Sequence, residues 1–403
     1  MTFALGLPFG SMGERRKSRE RNRIMTSRGE GATIAQRARN VLIVLIVGLL
    51  TAFGFPSGTV QGQPSERAGV RSPDAPPAAV TAAYWTRERM LAARPYPMPA
   101  LQGGPRVSGV RTPRTTGPAI LVAGGGPGNI ARSQIATGAG PELMLSPNPA
   151  YSYPFPYSRS GIIPFSLYNA WPWSINGKLF FTQEGINYVC SGTAVTVGSG
   201  PPRRALVLTA GHCVNSGGNG STGGTWNSST TFCPAYRDGV APFGCWTWQI
   251  LWTTGGWWLN SNLRRDVGFV VVANNACGQL GNCVGDDGIA FSASDKQHFW
   301  AFGYPAAAPF TGERMILCTA STAIRDAVNA LPGPDTMGTG CDMTGGSSGG
   351  SWNYGMRMGV TGYANSVNSY KYIIPAQPEA MYGPYFDGAI NTLWNDARNS
   401  IAP

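Results

Sequence analysis

The chain has 403 residues, of which 42% are hydrophobic and 13% are charged, and its formal net charge is +11. This composition excludes a generally disordered polyelectrolyte, which combines low hydrophobicity with high net charge. Glycine (55 residues) and proline (32 residues) are abundant, together about a fifth of the chain against a usual share of roughly 12%. The excess favours an all-β fold with long loops, or a disordered extension.

The positive charge lies in the N-terminal part of the chain. Residues 1–62 contain nine basic and three acidic residues, residues 63–150 contain nine and four, and residues 151–403 contain 13 of each. The large C-terminal part is therefore neutral, and we expect no nucleic-acid partner despite the overall charge.

Residues 1–62 have the pattern of an export leader. A basic stretch ending at Arg39 is followed by an apolar run over 41–53. A run of about 13 residues suits a signal-peptide core, whereas a membrane span needs about 20. Small residues at Val60 and Gly62 suit cleavage after position 62. We predict a secreted protein, extracellular or periplasmic, that meets the membrane only during export; an uncleaved anchor is the alternative.

Residues 63–150 are rich in Pro, Ala, Gly and Arg and contain no cysteine. Such a stretch buries too little apolar surface to offset the entropy of ordering it. We therefore predict a largely disordered pro-segment, or a linker without a role in maturation, with at most a short helix over 79–93.

From residue 151 short apolar runs alternate with turn residues, a pattern typical of a β-barrel or sandwich. About 250 residues suffice for two packed barrels. We predict an all-β, double β-barrel domain over 151–403 that ends in a helix over 387–398. The clearest candidate strands are 178–181, 188–195, 205–209, 246–251, 267–272 and 356–361.

All eight cysteines lie in this domain, and an even number in an exported chain indicates disulfides rather than metal ligands. Sequence alone leaves the connectivity open, and nearest-neighbour pairing is our hypothesis. No metal or cofactor is expected, because there is no CxxC motif and the chain has only two histidines. The cysteines are Cys190, Cys213, Cys233, Cys245, Cys277, Cys283, Cys318 and Cys341.

Three residues carry the pattern of nucleophilic catalysis. His212 follows an apolar run in Thr-Ala-Gly-His-Cys, Asp266 opens another run, and Ser348 lies in Gly-Gly-Ser-Ser-Gly-Gly. A serine hydroxyl is a weak nucleophile that needs an imidazole base, itself oriented by a carboxylate. The flanking glycines allow a sharp turn and let the N–H groups of Gly346 and Ser348 converge on a developing oxyanion.

These motifs, in the order His, Asp, Ser, resemble the chymotrypsin-fold serine peptidases. The wider context, Cys341 to Trp352 preceded by Phe-Gly-Tyr-Pro at 302–305, is similar to secreted microbial trypsin-like peptidases grouped with the glutamyl endopeptidases. The resemblance covers roughly residues 165–400.

The resemblance implies a role for each matched residue. His212 would be the general base, Asp266 its orienting partner and Ser348 the nucleophile. The N–H groups of Gly346 and Ser348 would form the oxyanion hole, and Cys190 would bridge to Cys213 beside the histidine.

The chain also departs from the family pattern. Ser347 stands where trypsin-type zymogens bury an aspartate that pairs with the new N-terminus, so that switch is not expected. No histidine follows Ser348, which weakens an expectation of glutamate preference. Asp342, six residues before Ser348, is a candidate specificity residue for Arg or Lys, with a structural loop carboxylate as the alternative.

Two further features are open at this stage. Asp286–Asp287 is expected to be a solvated turn, with calcium binding as the alternative. Arg159–Ser160–Gly161 is a candidate maturation site.

Together these patterns predict a secreted, monomeric serine endopeptidase that hydrolyses peptide bonds of protein substrates through a Ser-His-Asp triad and an acyl-enzyme. A catalytically inactive homologue acting as a binding module is the main alternative. A cell-envelope protein that binds a partner through residues 63–150 is a third.

Overall fold

The computed structural model describes residues 65–66, 68–107, 118–129, 142–144, 155–199, 204–356, 360, 362–373 and 379–401. All of them lie in the unit Gln63–Pro403. The predicted leader, residues 1–62, lies outside the described residues, and so does most of the predicted strand 356–361. Across the described ranges, no helix combines the length and the hydropathy needed to cross a membrane.

The described part of the chain is mostly β-structure. Its strands are β1 (Gly69–Arg71), β2 (Arg94–Pro95), β3 (Ala100–Leu101), β4 (Ile120–Val122), β5 (Glu142–Met144), β6 (Ser158–Gly161), β7 (Asn176–Gln183), β8 (Ile186–Ala194), β9 (Leu206–Thr209), β10 (Ser228–Pro234), β11 (Trp246–Thr254), β12 (Gly268–Val272), β13 (Gly288–Phe291), β14 (His298–Gly303), β15 (Ile316–Ser321), β16 (Ile324–Asp326), β17 (Thr336–Gly340), β18 (Ser351–Tyr354), β19 (Tyr363–Val367), β20 (Lys371–Tyr372) and β21 (Ala380–Gly383).

The helices are short except for the last. They are α1 (Ala78–Tyr84), α2 (Arg87–Ala92), α3 (Gly255–Asn260), α4 (Leu280–Val284) and α5 (Gly388–Asn399), with 3₁₀ turns at Phe165–Asn169, Trp173–Ile175, Gly211–Cys213 and Leu263–Arg265. The carboxylate of Asp387 caps α5 by accepting from the Ala389 N–H at 3.0 Å, a typical N-cap contact. The predicted C-terminal helix is confirmed.

Six strands close into an antiparallel barrel in the order β7–β8–β9–β12–β11–β10, with β10 returning to β7. Closure gives each of the six strands a barrel neighbour on both sides, although β9 pairs with β8 only at Thr193 and Ala194. Its interior is filled by side chains that share one face of the sheet, such as Leu179, Val207 and Val270, all of which are buried. Five of the six predicted strands fall on strands of this barrel.

The second half consists of an eight-stranded sheet, β4–β13–β19–β18–β14–β15–β6–β5, and a three-stranded sheet, β16–β17–β21. Side chains from both sheets, including Phe299, Ile316, Met337 and Met381, form one apolar cluster. The prediction of an all-β fold with two barrel-like halves and a C-terminal helix is confirmed.

Nearest-neighbour pairing of the cysteines is also confirmed. Cys190–Cys213 ties β8 to the turn that carries His212, and Cys318–Cys341 ties β15 to the loop that leads to Ser348. The other two bridges are Cys233–Cys245 and Cys277–Cys283.

Residues 63–150 differ from the expectation of a largely disordered stretch, because their described parts pack on the two halves. Strand β1 pairs with β11, β2 with β8 and β4 with β13. Trp85 is buried with its ring 5.4 Å from that of Phe180. These described parts are ordered because they add strands to the edges of existing sheets. Such ordering does not require the segment to form a hydrophobic core of its own, so its composition does not reveal it.

The candidate maturation bond after Arg159 lies inside β6, between β5 and β15. Arg159 and Ser160 are both buried. Cleavage at this bond therefore requires β6 to leave its sheet.

Candidate active site

Pairing of β9 with β12 brings His212 and Asp266 to the same place. The two strands are antiparallel, with Gly268 opposite Thr209. His212 comes three residues after Thr209, in a 3₁₀ turn, and Asp266 comes two residues before Gly268. Both side chains therefore lie at the same end of the strand pair.

The Asp266 carboxylate holds the His212 imidazole through two contacts. Its Oδ2 lies 2.7 Å from His212 Nδ1, and its Oδ1 accepts from the His212 backbone N–H at 2.8 Å. Asp266 and His212 are almost completely buried. With the Nδ1 proton directed at the carboxylate, the Nε2 lone pair is available to accept a proton.

Ser348 lies in the turn between β17 and β18, directly beside the histidine loop. Its carbonyl oxygen accepts from the Ser191 N–H at 2.7 Å and lies 3.6 Å from Cys213 Sγ. Ser348 is fully buried. Among the described residues, neither Ser348 Oγ nor His212 Nε2 has a hydrogen-bond partner, so both atoms are uncommitted.

The turn depends on glycine at position 346. Gly346 has a φ of +95°, and a Cβ there would lie 2.8 Å from both the Tyr304 carbonyl oxygen and the Ala306 Cβ. The Gly346 carbonyl accepts from Ser191 Oγ at 2.9 Å, which fixes the turn. Within the described parts of the chain, the N–H groups of Gly346 and Ser348 donate to no protein acceptor.

Three neighbours of this site were not singled out from the sequence. Ser369 Oγ donates to Asp266 Oδ2 at 2.5 Å. The Tyr96 ring stacks on the His212 ring at 5.8 Å with an interplanar angle of 15°, and the Trp257 ring lies 6.0 Å away. None carries a local sequence signal, because the fold brings them to the histidine from distant positions.

Asp342 lies in a cluster of charged side chains. It forms an ion pair with Arg159 in which both side chains are largely buried. Nearby, Lys371 Nζ donates to the carbonyl oxygens of Cys341 and Met343, each at 3.1 Å. Burial of the Lys371 ammonium lowers its pKa to about 8, an effect that the charge of Asp342 partly opposes.

Asp286–Asp287 differs from the solvated turn expected from sequence, since both residues are buried. Asp286 Oδ2 accepts from Arg204 Nε at 2.5 Å, so this carboxylate is paired with an arginine. Burial raises the pKa of Asp287 well above its usual value.

Ser347 Oγ donates to the Thr344 carbonyl at 2.8 Å. The side chain that replaces the zymogen aspartate thus makes a neutral bond within its own loop.

The chain is similar to several proteases of known structure. The serine protease AL20 from an extremophilic microorganism is 33% identical, with a TM-score of 0.50, over 56% of this chain and 98% of that protein. The protease Anisep from Arthrobacter nicotinovorans is 39% identical over 56% and 96% of the two chains, with a TM-score of 0.49. A Glu endopeptidase is more distant, at 16% identity over 60% and 97%, with a TM-score of 0.45.

No protein-family model matches the chain, and no curated protein does. At 33% identity over nearly all of AL20, the chain belongs to the serine proteases of the chymotrypsin fold. It is a serine peptidase, as the order of its motifs predicted.

Proposed function

We propose that the protein is an exported serine endopeptidase in which His212, Asp266 and Ser348 form the catalytic triad. The observation that carries the proposal is the double contact of Asp266 with His212, together with a nearby Ser348 hydroxyl and a His212 Nε2 that have no hydrogen-bond partner among the described residues. A carboxylate that fixes the imidazole in one orientation and one tautomer is the requirement for general-base catalysis.

The reaction follows from these positions. Ser348 Oγ attacks the carbonyl carbon of the scissile peptide bond while His212 Nε2 takes the hydroxyl proton. The negative charge that develops on the carbonyl oxygen is stabilised by the N–H groups of Gly346 and Ser348. His212 then protonates the leaving amine, and the acyl group stays on Ser348. Water, deprotonated by His212, hydrolyses this ester and regenerates the enzyme.

The assignment of Asp342 as a residue that reads a basic substrate side chain stays a prediction, and its ion pair with Arg159 opposes it. The Asp342 carboxylate already has a cation of its own chain, and a second cation, Lys371, lies close by. A substrate Arg or Lys would have to compete with both.

Export is supported by the leader pattern in residues 1–62 and by the four disulfides, which persist in oxidising compartments. The alternative of an inactive binding module is not favoured. It would be expected to have lost at least one of His212, Asp266 and Ser348.

Hydrolysis of casein tests the proposal. The purified protein is incubated until any processing of its own chain is complete, and new amino groups are counted. Ser348→Ala should abolish hydrolysis, whereas Ser351→Ala, three residues further along the same Gly/Ser-rich stretch, should retain it. Equal rates for the wild type and Ser348→Ala would refute the assignment.

A further inference from the structure

Residues 94–101, which we call the strap, cross from one half of the molecule to the other over the active site. At one end, β2 lies parallel to β8, with Arg94 opposite Tyr188 and Pro95 opposite Val189. The next N–H, of Tyr96, donates to the Val189 carbonyl at 3.0 Å. On this side of β8, β9 reaches only Thr193 and Ala194, so the edge that the strap occupies would otherwise be free.

The middle of the strap lies on the catalytic groups. The Tyr96 ring stacks on His212 and also lies 5.3 Å from Phe181 and 5.0 Å from Tyr188. Its hydroxyl donates to Gln183 Oε1 at 2.7 Å. A network of aromatic contacts and a hydrogen bond therefore fixes this ring over the imidazole.

The same residue approaches the nucleophile turn from the other side. A Cβ placed on Gly345 would lie 3.1 Å from the Tyr96 carbonyl oxygen and 3.8 Å from the Met98 N atom. The Met98 side chain packs against the apolar cluster that includes Met343. The strap thus passes between the histidine loop and the turn that carries Ser348.

At its far end the strap pairs with β20, just after Ser369. Strand β3 lies parallel to β20, with Ala100 opposite Lys371 and Leu101 opposite Tyr372. The Lys371 N–H donates to the Pro99 carbonyl at 3.0 Å, and the Ile373 N–H donates to the Leu101 carbonyl at 2.8 Å.

An extended peptide binds most simply by adding a strand to a free edge. The edges of β8 and β20 flank Ser348, and the strap occupies both of them. His212 is 2% exposed and Ser348 is 0% exposed, so no substrate reaches the reacting atoms while the strap is in place.

The strap is nevertheless not held as a substrate. It presents an aromatic ring, rather than a peptide carbonyl, to His212. In the described parts of the chain, no strap carbonyl accepts from the N–H of Gly346 or Ser348. The groups that would polarise a scissile bond are therefore not engaged by the strap.

We propose that the strap is an intramolecular inhibitor, so that the full chain is latent until residues 94–101 leave the edges of β8 and β20. This inference rests on the proposed function, because the covered residues block catalysis only if they are the catalytic residues. The covering of His212 by the strap does not depend on catalysis and can be measured separately.

The first experiment measures the covering of His212 by chemical modification. The chain has only two histidines, and His298 is exposed, so it serves as an internal standard. Diethyl pyrocarbonate, which acylates neutral imidazole, is applied to the full chain carrying Ser348→Ala to prevent self-cleavage. Rates at both histidines are read by peptide mass spectrometry.

We expect His212 to react much more slowly than His298 in the chain with an intact strap. Tyr96→Ala should raise the His212 rate by about tenfold or more, the factor that 1.4 kcal/mol of lost strap contacts gives. Tyr84→Ala, the same change in the same extension, removes a contact to Asn187 and should leave both rates unchanged.

Should the main-chain bonds hold the strap without its tyrosine, the double variant Tyr96→Ala/Leu101→Asp places a charge in the contact of Leu101 with an apolar cluster. That cluster includes Trp257, Tyr370 and Tyr382. Unchanged His212 reactivity in both the single and the double variant would overturn the proposal.

The second experiment measures the rate of fluorophosphonate labelling of the full chain with Ser348 present. Tyr96→Ala should label about tenfold faster than the wild type, and Tyr84→Ala should label at the wild-type rate. Equal rates for the wild type, Tyr96→Ala and the double variant Tyr96→Ala/Leu101→Asp would overturn latency. If Tyr96→Ala uncovers His212 but Ser348 is never labelled, the covering of His212 by the strap is supported and the proposed peptidase mechanism is refuted instead.

Discussion

Asp266→Asn tests the electrostatic arrangement around His212 without changing the size of the side chain. The carboxylate accepts three hydrogen bonds, from the His212 N–H, from His212 Nδ1 and from Ser369 Oγ, at 2.8, 2.7 and 2.5 Å. An amide that keeps its oxygen on the His212 N–H must direct its NH₂ group at Nδ1. This NH₂ group then donates to Nδ1, so the imidazole proton lies on Nε2. A protonated Nε2 cannot accept the proton of the Ser348 hydroxyl.

The expected loss is about 10⁴-fold in kcat, the effect of the same change in a well-studied Ser-His-Asp triad. At 1.36 kcal/mol per tenfold, this corresponds to about 5.4 kcal/mol of transition-state stabilisation. The assay compares kcat for a chromogenic peptide substrate in the wild type and the variant, in the same processed form.

Ser369→Ala is the matched control, because it removes one of the three hydrogen bonds to Asp266 but leaves the tautomer of His212 unchanged. We expect a loss of about tenfold, from a hydrogen bond to a charged group of roughly 1.5 kcal/mol. A kcat within tenfold of the wild type in a correctly folded Asp266→Asn, judged by near-UV circular dichroism, would refute the reasoning.

Three further changes probe the rest of the site. Gly346→Ala should lower kcat by about 10² to 10³-fold, because its Cβ would displace the N–H group that we propose as an oxyanion donor. Gly355→Ala, also at positive φ but with open space around it, should not affect kcat. Asp342→Asn should destabilise the fold by about 3 kcal/mol, because it leaves the buried Arg159 guanidinium unpaired; thermal unfolding measures this, and an unchanged melting temperature would contradict it. The pKa of Lys371 is lowered to about 8 in the folded protein, so between pH 8 and its ordinary value near 10.5 the unfolded chain binds more protons than the folded chain. The free energy of unfolding of the wild type should therefore rise relative to that of Lys371→Met between pH 8 and pH 9.5. Urea unfolding in a catalytically inactive background measures this, and a wild-type free energy of unfolding that stays constant or falls relative to that of Lys371→Met would contradict burial of the ammonium.

Much of the fold and the central site could be predicted from sequence because the signals are local. An apolar run that ends in Thr-Ala-Gly-His-Cys indicates a strand followed by a rigid turn, and the structure has β9 and a 3₁₀ turn there. The run that follows Asp266 is β12, which pairs with β9. Chain order alone does not give that pairing, and the resemblance to a known family implied only that Asp266 orients His212.

The remaining features depend on contacts between distant residues. Ser369 and Trp257 reach the histidine through the fold and have no local motif. Asp342 stands at a spacing that suggested a specificity role, but the partner that neutralises it, Arg159, lies 183 residues away in the sequence. No pattern within one segment could have revealed this ion pair.

The strap was missed for a different physical reason. Composition correctly indicates that residues 63–150 cannot form a core of their own, and the expectation of disorder assumed that nothing else would order them. Backbone hydrogen bonds to the edges of β8 and β20 need no particular side chain, so a Pro-rich stretch with a few aromatic residues is sufficient. Tyr96 is the residue whose side chain makes this attachment specific.

The most direct test of the central claim is to find where a fluorophosphonate forms its covalent adduct. The chain carrying Tyr96→Ala is labelled to completion, its intact mass is measured, and the modified residue is located by peptide mapping. We expect a single adduct per chain, on Ser348, and none after Ser348→Ala. An adduct on any other residue, or no adduct on folded protein, would contradict it.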